Sequence, residues 1–228
     1  MRGRIWKKLF CILTITILTT SLSGSKYVEK VRNNDMEDNF YNLFQDGWNK
    51  TYGGTEYDLL YCVKETTDGG YVAVGITTQS GVEYAWVIKI DENGNIEWES
   101  KEMPSSVESF SYYIQQTSDG GYIVSGYTKT SIYDYEGFLW KIDENGKTEW
   151  IKRYKDFYSL YKVQQCNDGY IIVGTIIIDL AANDCDAVLV KTDWNGNIEW
   201  KKIYRYGSGW DGARALTITQ DEGYIMGG

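Results

Sequence analysis

Residues 89–98 read KIDENGNIEW, residues 141–150 read KIDENGKTEW and residues 191–200 read KTDWNGNIEW. Each run carries an Asp-x-Asn-Gly turn and closes on a Trp, and Trp48, Trp98, Trp150 and Trp200 stand at intervals of 50, 52 and 50. Asn-Gly between β-rich runs is a strong hairpin signal, because the turn needs the positive φ that Asn and Gly tolerate. A second run recurs upstream, before each copy of the first and once more at the end: TTDGGYVAVG at 66–75, TSDGGYIVSG at 117–126, NDGYIIVG at 167–174 and QDEGYIMGG at 220–228. The third copy lacks one Gly. Two motifs in constant order at one period mark a repeat architecture.

Each unit divides into four strands. In the first, strand one covers about Leu59 to Glu65, Asp68-Gly69-Gly70 turns the chain, and strand two covers Tyr71 to about Thr77. A polar loop through Ser80 and Gly81 leads to strand three, about Tyr84 to Ile90; Asp91 to Gly94 turn again, and strand four runs from Asn95 past Trp98. Runs such as YVAVG, YIVSG and YIIVG are apolar at nearly every position, as in a strand hidden on both faces. No helical period is sustained after residue 45. Four strands per unit of about 50 residues predict an all-β fold, a β-propeller of four-stranded blades, with an open β-solenoid as its rival. The units are about 47–98, 98–150, 150–200 and 200–228, or about three and a half blades. A ring needs about four to eight, so the chain is expected to be a fragment of a longer protein. Gly75, Gly126, Gly174 and Gly228 are expected where backbones approach closely, and the recurrent Trp between adjacent blades.

The units resemble repeats of secreted or cell-surface bacterial and archaeal propeller proteins. The matching residues are Tyr52-Gly53-Gly54, Asp58, Asp68 to Tyr71, Gly75, Thr77, Lys89, Asp91, Gly94 and Trp98, and the resemblance covers about 48–228. Pro104-Ser105-Ser106 and Lys155-Asp156 replace the opening Gly-Gly in units two and three. Blades ending in Gly-x-x-x-Trp are also loosely similar to pyrroloquinoline-quinone-type propellers. Those enzymes hold their quinone with a metal ion and often with adjacent cysteines, and this sequence has no adjacent Cys pair. The similarity implies blade geometry without the redox chemistry, and no cofactor is expected.

Residues 1–25 have the layout of a secretory signal peptide: Arg2, Arg4, Lys7 and Lys8, an apolar stretch from Leu9 to about Thr20, then Ser21, Ser23, Gly24 and Ser25. The apolar stretch is shorter than the roughly 20 residues of a spanning helix, although an uncleaved anchor is the alternative. Cys11 lies at the start of that stretch, the wrong place for lipidation. Residues 26–46 read as a linker. The protein is therefore expected outside the cell or in its envelope, with no stable membrane insertion after cleavage.

The 228 residues carry a net charge of −9 and a pI of about 4.7, which argues against a nucleic-acid partner. Cleavage after residue 25 removes four basic residues and no acid, taking the charge to −13. With no His, Ser–His and Cys–His nucleophile pairs and His-ligated metals are excluded. Cys62, Cys166 and Cys185 are an odd set at different repeat positions, expected to be ordinary buried thiols.

Candidate sites follow from the repeat. Tyr57 with Asp58, and Trp210 with Asp211, place an aromatic and an acid in the loop that enters a blade, a pattern suited to sugar or peptide recognition; a local Asx-turn capping the strand is the other reading. Asp91, Asn93 and Asn95, Asp143 and Asn145, and Asp193 and Asn195 alternate oxygen ligands as weak calcium candidates, but Gly falls at position four and Trp at position eight, which favours a hairpin turn. Lys89, Lys141 and Lys191 are expected on an exposed strand face, or else in a ladder of charge pairs between blades. The acids sit mostly in recurrent turns, poor places for a catalytic pair. The expected function is a non-catalytic binding or structural module whose partner is an extracellular protein or glycan. The alternative is the propeller portion of a secreted carbohydrate-active enzyme with its catalytic residues beyond Gly228.

Overall fold

A computed structural model describes residues 48–102, 108–131, 134–179, 184–205 and 207–228. The expected signal segment 1–25 and linker 26–46, with Cys11, lie outside these residues, as do Pro104-Ser105-Ser106. Every regular element among the described residues is a strand.

Three antiparallel quartets follow one another: β1 (Asp58–Glu65) to β2 (Tyr71–Gln79), β3 (Val82–Ile90) and β4 (Ile96–Glu102); β5 (Glu108–Gln116) to β6 (Tyr122–Ser131), β7 (Asp134–Ile142) and β8 (Thr148–Tyr154); β9 (Phe157–Cys166) to β10 (Gly169–Asp179), β11 (Asp184–Thr192) and β12 (Ile198–Tyr204). The hairpin β13 (Ala215–Ile218) and β14 (Tyr224–Gly227) comes last. One parallel pair, Glu83 with Glu108, lays the start of β5 against β3 and joins the first two quartets at a corner. A parallel bridge between Cys185 and Trp210 does the same for the third quartet and the chain entering β13.

The turns carry the hydrogen bonds that their sequences predict. In the Asp91–Asn95 loop the Gly94 N–H donates to the Asp91 carbonyl at 3.1 Å, and Gly94 takes φ +77°, the left-handed residue that follows a type I turn in a three-residue hairpin loop. The turn after β1 is built alike, with Gly69 at φ +87°. The missing Gly of the third unit shortens its loop to Asn167-Asp168. The expected polar loop after strand two is, in the first unit, a two-residue turn with Ser80 and Gly81 both at positive φ.

The quartets stack face to face. Val72, Val74, Ala85 and Val87 of the first pack against Ile114, Val124, Phe138 and Trp140 of the second. Ile123 and Leu139, on the second quartet's other face, meet Leu160, Ile172, Val188 and Val190 of the third. Ile171, Val173 and Leu189 then meet Ala213 and Leu216 of the hairpin region. Burial on both faces explains the unbroken apolar runs of β2, β6 and β10, each such side chain contributing about 1.5–3 kcal/mol. The outer strands β4, β8 and β12 are polar and more exposed.

The recurrent Trp sits between sheets as expected. Trp98 meets Tyr122 edge-on at 5.6 Å, Trp150 meets Tyr170 at 6.2 Å and Trp200 meets Tyr224 at 6.1 Å, each ring reaching from a fourth strand to the Tyr in the first two residues of the next unit's second strand. Trp48 does the same with Tyr71 at 6.3 Å. Beneath Trp48, Trp98 and Trp150 lies the Gly of the next unit's second turn: a Cβ on Gly94 would meet Trp48 at 2.7 Å, one on Gly146 would meet Trp98 at 2.6 Å and one on Gly196 would meet Trp150 at 3.0 Å. Gly75, Gly126 and Gly174 have the other role: a Cβ there would collide with the carbonyl oxygens of Leu59, Phe110 and Ser159 on the neighbouring strand of the same sheet.

The lysine expectation is corrected. Lys89, Lys141 and Lys191 are only 2–3% exposed, because the next sheet covers the face that carries them. Their ammonium groups emerge at the turn end and bind two carboxylates of their own sheet. Lys89 reaches Asp68 at 2.9 Å and Glu97 at 2.5 Å, Lys141 reaches Asp119 at 3.0 Å and Glu149 at 3.4 Å, and Lys191 reaches Asp168 at 2.9 Å and Glu199 at 2.8 Å. Each lysine thus ties the first turn of its unit to the fourth strand, and among the described residues these lysines pair within their own unit.

Candidate functional site

The first strand of each quartet carries a bulge after its third or fourth residue that leaves one residue out of the ladder: Tyr61 between Leu60 and Cys62, Tyr112 between Ser111 and Tyr113, Tyr161 between Leu160 and Lys162; β9 has a second irregularity at Tyr158. A bulge re-aims the side chain it carries. Here it gathers one tyrosine from each quartet into a row. Tyr61 and Tyr112 lie 5.3 Å apart between ring centroids, and Tyr112 and Tyr161 lie 5.1 Å apart. Arg214 completes the row, its guanidinium 5.0 Å from the Tyr161 ring centroid.

A second group adjoins the row. Tyr127 lies 5.8 Å from Tyr112 and stacks on Phe110 at 4.8 Å, Tyr135 lies 4.3 Å from Tyr158, and Tyr158 meets Trp210 edge-on at 4.6 Å. Burial, reinforced by neighbouring phenols, pushes the hydroxyls of Tyr112, Tyr127 and Tyr158 well above the ordinary tyrosine value. They stay neutral donors and acceptors at any physiological pH. The group combines aromatic faces with fixed polar tips, which suits a ligand that is apolar on one side and hydroxylated on the other.

Of the four entry-loop candidates, Trp210 joins this aromatic face. Asp211 lies beside it, half-buried, its N–H donating to the Cys185 carbonyl at 2.7 Å. Tyr57 is 48% exposed, and its carbonyl accepts the Thr78 N–H. Asp58 turns inward: it is 4% exposed, and its carboxylate accepts the Gly54 N–H at 2.7 Å and the Thr77 hydroxyl at 2.5 Å. Those bonds hold the strand-entry turn.

The alternating Asp and Asn residues of the second turns spend their oxygens locally. Asp91 Oδ1 accepts the N–H groups of Asn93 and Asn95 and Oδ2 accepts the Asn95 amide, all at 2.8 Å; Asp193 does the same with Asn195 and Asn197 at 2.8–2.9 Å. Asp143 Oδ1 accepts from Asn145 at 2.9 Å and Lys147 at 2.8 Å. The side-chain bond from Asn95, with the backbone donors, holds the Asp91 carboxyl below its ordinary value, and Asn197 does so for Asp193. No cluster of three potential metal ligands occurs among the described residues.

At the entry end of the third quartet, Arg205 binds Asp184 at 2.6 Å and lies 4.0 Å from the buried Asp186. At the turn end, a cleft of about 640 Å³ opens beside β12 and the β13–β14 hairpin, lined by Trp200, Tyr224 and the Lys191–Asp168–Glu199 group. Cys62 and Cys166 are half-buried, Cys185 is buried, and all three are free thiols.

Sequence reasoning missed the tyrosine row. Its signal was present: Tyr61, Tyr112 and Arg214 each stand 14 residues before the repeat Gly, and Tyr161 stands 13 before it in the unit that lacks one Gly. The chain matches no protein-family model, and no curated protein aligns with it significantly.

Proposed function

We propose that the repeat units are blades of a β-propeller that serves as a non-catalytic binding module at or outside the cell surface, with an extracellular glycan or protein as its partner. The observation that carries the reading is the tyrosine row: one ring from each quartet, brought to a common face by a bulge recurring at one repeat position. A bulge kept in three units builds a surface and contributes nothing evident to the core. Face-to-face stacking of the quartets, with the start of β5 paired to β3 and Trp210 bridged to Cys185 of β11, supports the propeller arrangement. Of the entry-end carboxylates, Asp184 is bridged by Arg205 and Asp58 holds a turn. The secretory layout of residues 1–25 supports the location.

The test is a glycan and extracellular-protein array probed with the full chain, followed by a hydrolysis assay on whatever binds. Retention without turnover is expected, and Tyr61→Ser or Trp210→Ser weakens it. Turnover by the chain, or no retained partner, overturns the reading.

A further inference from the structure

Beside the tyrosine row, two lysines from different quartets converge on one ring. Lys64 Nζ lies 4.9 Å and Lys162 Nζ 5.3 Å from the centroid of Tyr113. Tyr113 directly follows the bulged Tyr112, and Lys162 directly follows the bulged Tyr161, so the bulges that build the row also place this pair. Neither ammonium has a carboxylate partner among the described residues, although the chain holds 32 acidic residues and buries its turn lysines against two carboxylates each. Both side chains are half-buried. Two like charges held against one ring repel each other, and a bound anion removes that repulsion. Burial and then the charge of Lys64 hold the Lys162 ammonium below its ordinary value. Arg214, at the end of the row, adds a cation over the Tyr161 ring.

We infer that Lys64 and Lys162 form an anion site for the carboxylate of an acidic sugar whose ring lies along Tyr61, Tyr112 and Tyr161. The inference rests on the binding-module reading and names its ligand class. Two convergent ammonium groups select the charge, while the neighbouring phenols offer stacking faces for a pyranose and hydrogen bonds for its hydroxyls. A short oligosaccharide fits better than a long polyanion, because the cations are local and the rest of the surface is acidic.

The experiment is calorimetric titration of the full chain with tri-galacturonate and with its methyl ester, which keeps the backbone and removes the charge. The acid is expected to bind at least tenfold tighter than the ester. In the Lys64→Gln/Lys162→Gln variant that preference disappears while ester affinity and thermal midpoint hold; Tyr61→Ser weakens both forms alike. By NMR, the Lys162 ammonium titrates at higher pH once the acid is bound. Equal affinity for acid and ester, no binding of either, or a preference unchanged in the double variant overturns the site. So does binding of an oligoglutamate peptide in place of the sugar. A neutral glycan or protein partner found on the array in those cases leaves the binding module standing and removes only the lysine site.

Discussion

Alanine at two glycines of nearly identical backbone geometry separates the contribution of sheet stacking from that of the turns. Gly69 has φ +87° and Gly146 has φ +85°. Alanine in this left-handed region costs about 1–2 kcal/mol, and the stiffer unfolded chain returns about 0.4–1 kcal/mol. At Gly69 a new Cβ meets nothing within 4 Å, so Gly69→Ala is expected to cost about 1 kcal/mol. At Gly146 the Cβ lands 2.6 Å from the indole of Trp98, on the preceding quartet. One side of that contact is backbone, so the indole must move within the packed layer it shares with Val87, Tyr122 and Trp140. Overpacking of this kind adds about 1–3 kcal/mol, for a total of about 2–4 kcal/mol. Gly120→Ala, at φ +88° and 3.4 Å from Glu144 Oε2, is a second control and should resemble Gly69→Ala. Gly94→Ala, 2.7 Å from the Trp48 ring, should resemble Gly146→Ala. Urea unfolding followed by far-UV circular dichroism measures all four, with stability read from midpoints at a common slope. In the double variant Gly146→Ala/Trp98→Leu, a coupling of about 1 kcal/mol is expected, because the smaller side chain clears the new methyl. If Gly146→Ala falls within 0.5 kcal/mol of Gly69→Ala (roughly the error of such comparisons), the indole does not rest on that turn and the stacking of the quartets is wrong.

Lys89→Met should cost about 1–3 kcal/mol, because Asp68 and Glu97 are roughly half exposed and rehydrate when the ammonium leaves. The double variant Asp68→Asn/Glu97→Gln should cost more, about 3–5 kcal/mol, since it strands a buried ammonium; thermal or urea unfolding decides, and the reverse order refutes the triad. Burial pushes the Asp68 carboxyl up, but hydrogen bonds from Thr66, Lys89 and Gly70 and the Lys89 charge outweigh it and hold the group at about 2, against 3.8 ordinarily. Its stabilisation is therefore complete above the unfolded value and lost as pH falls from 3.8 towards 2; after screening it amounts to about 1 kcal/mol. Unfolding measured from pH 6 to pH 2 should show Asp68→Asn losing that part of the acid dependence. Ser80 occupies the first position of a two-residue hairpin turn at φ +53°, where Asn is better tolerated. Ser80→Asn should add about 0.5 kcal/mol, since the backbone bonds from Ser80 and Gly81 to Glu56 do not involve the replaced side chain.

The strands and turns were legible because both are local. Asp91-Glu92-Asn93-Gly94 specifies its hairpin through its own backbone, and the resulting elements begin or end within about two residues of the expected ones. The lysines were misread for the opposite reason. Lys89 follows Ile88 and precedes Ile90 in a strand, and alternation alone puts a charged residue on a wet face. Burial arises when a second sheet covers that face, and the long stem still carries the ammonium to the rim, where two carboxylates wait. Asp58 had two readings, a ligand acid in a loop or a turn that caps the strand, and the Gly54 N–H with the Thr77 hydroxyl across the sheet gives it the second. The tyrosine row depended on bulges, which add one residue to a strand and leave no composition signal.

The sequence by itself determined the repeat, the all-β character, the turn chemistry and the inter-sheet role of the recurrent Trp, because each rests on residues a few positions apart or on a period that survives without coordinates. Tertiary structure alone decided which face of each strand is covered, which carboxylates meet each lysine, and that Tyr61, Tyr112 and Tyr161 share one surface with Lys64 and Lys162. Those outcomes depend on how quartets some 50 residues apart lie against one another; a constant offset from the repeat Gly marks one position per unit, but not which face it takes or what it meets there.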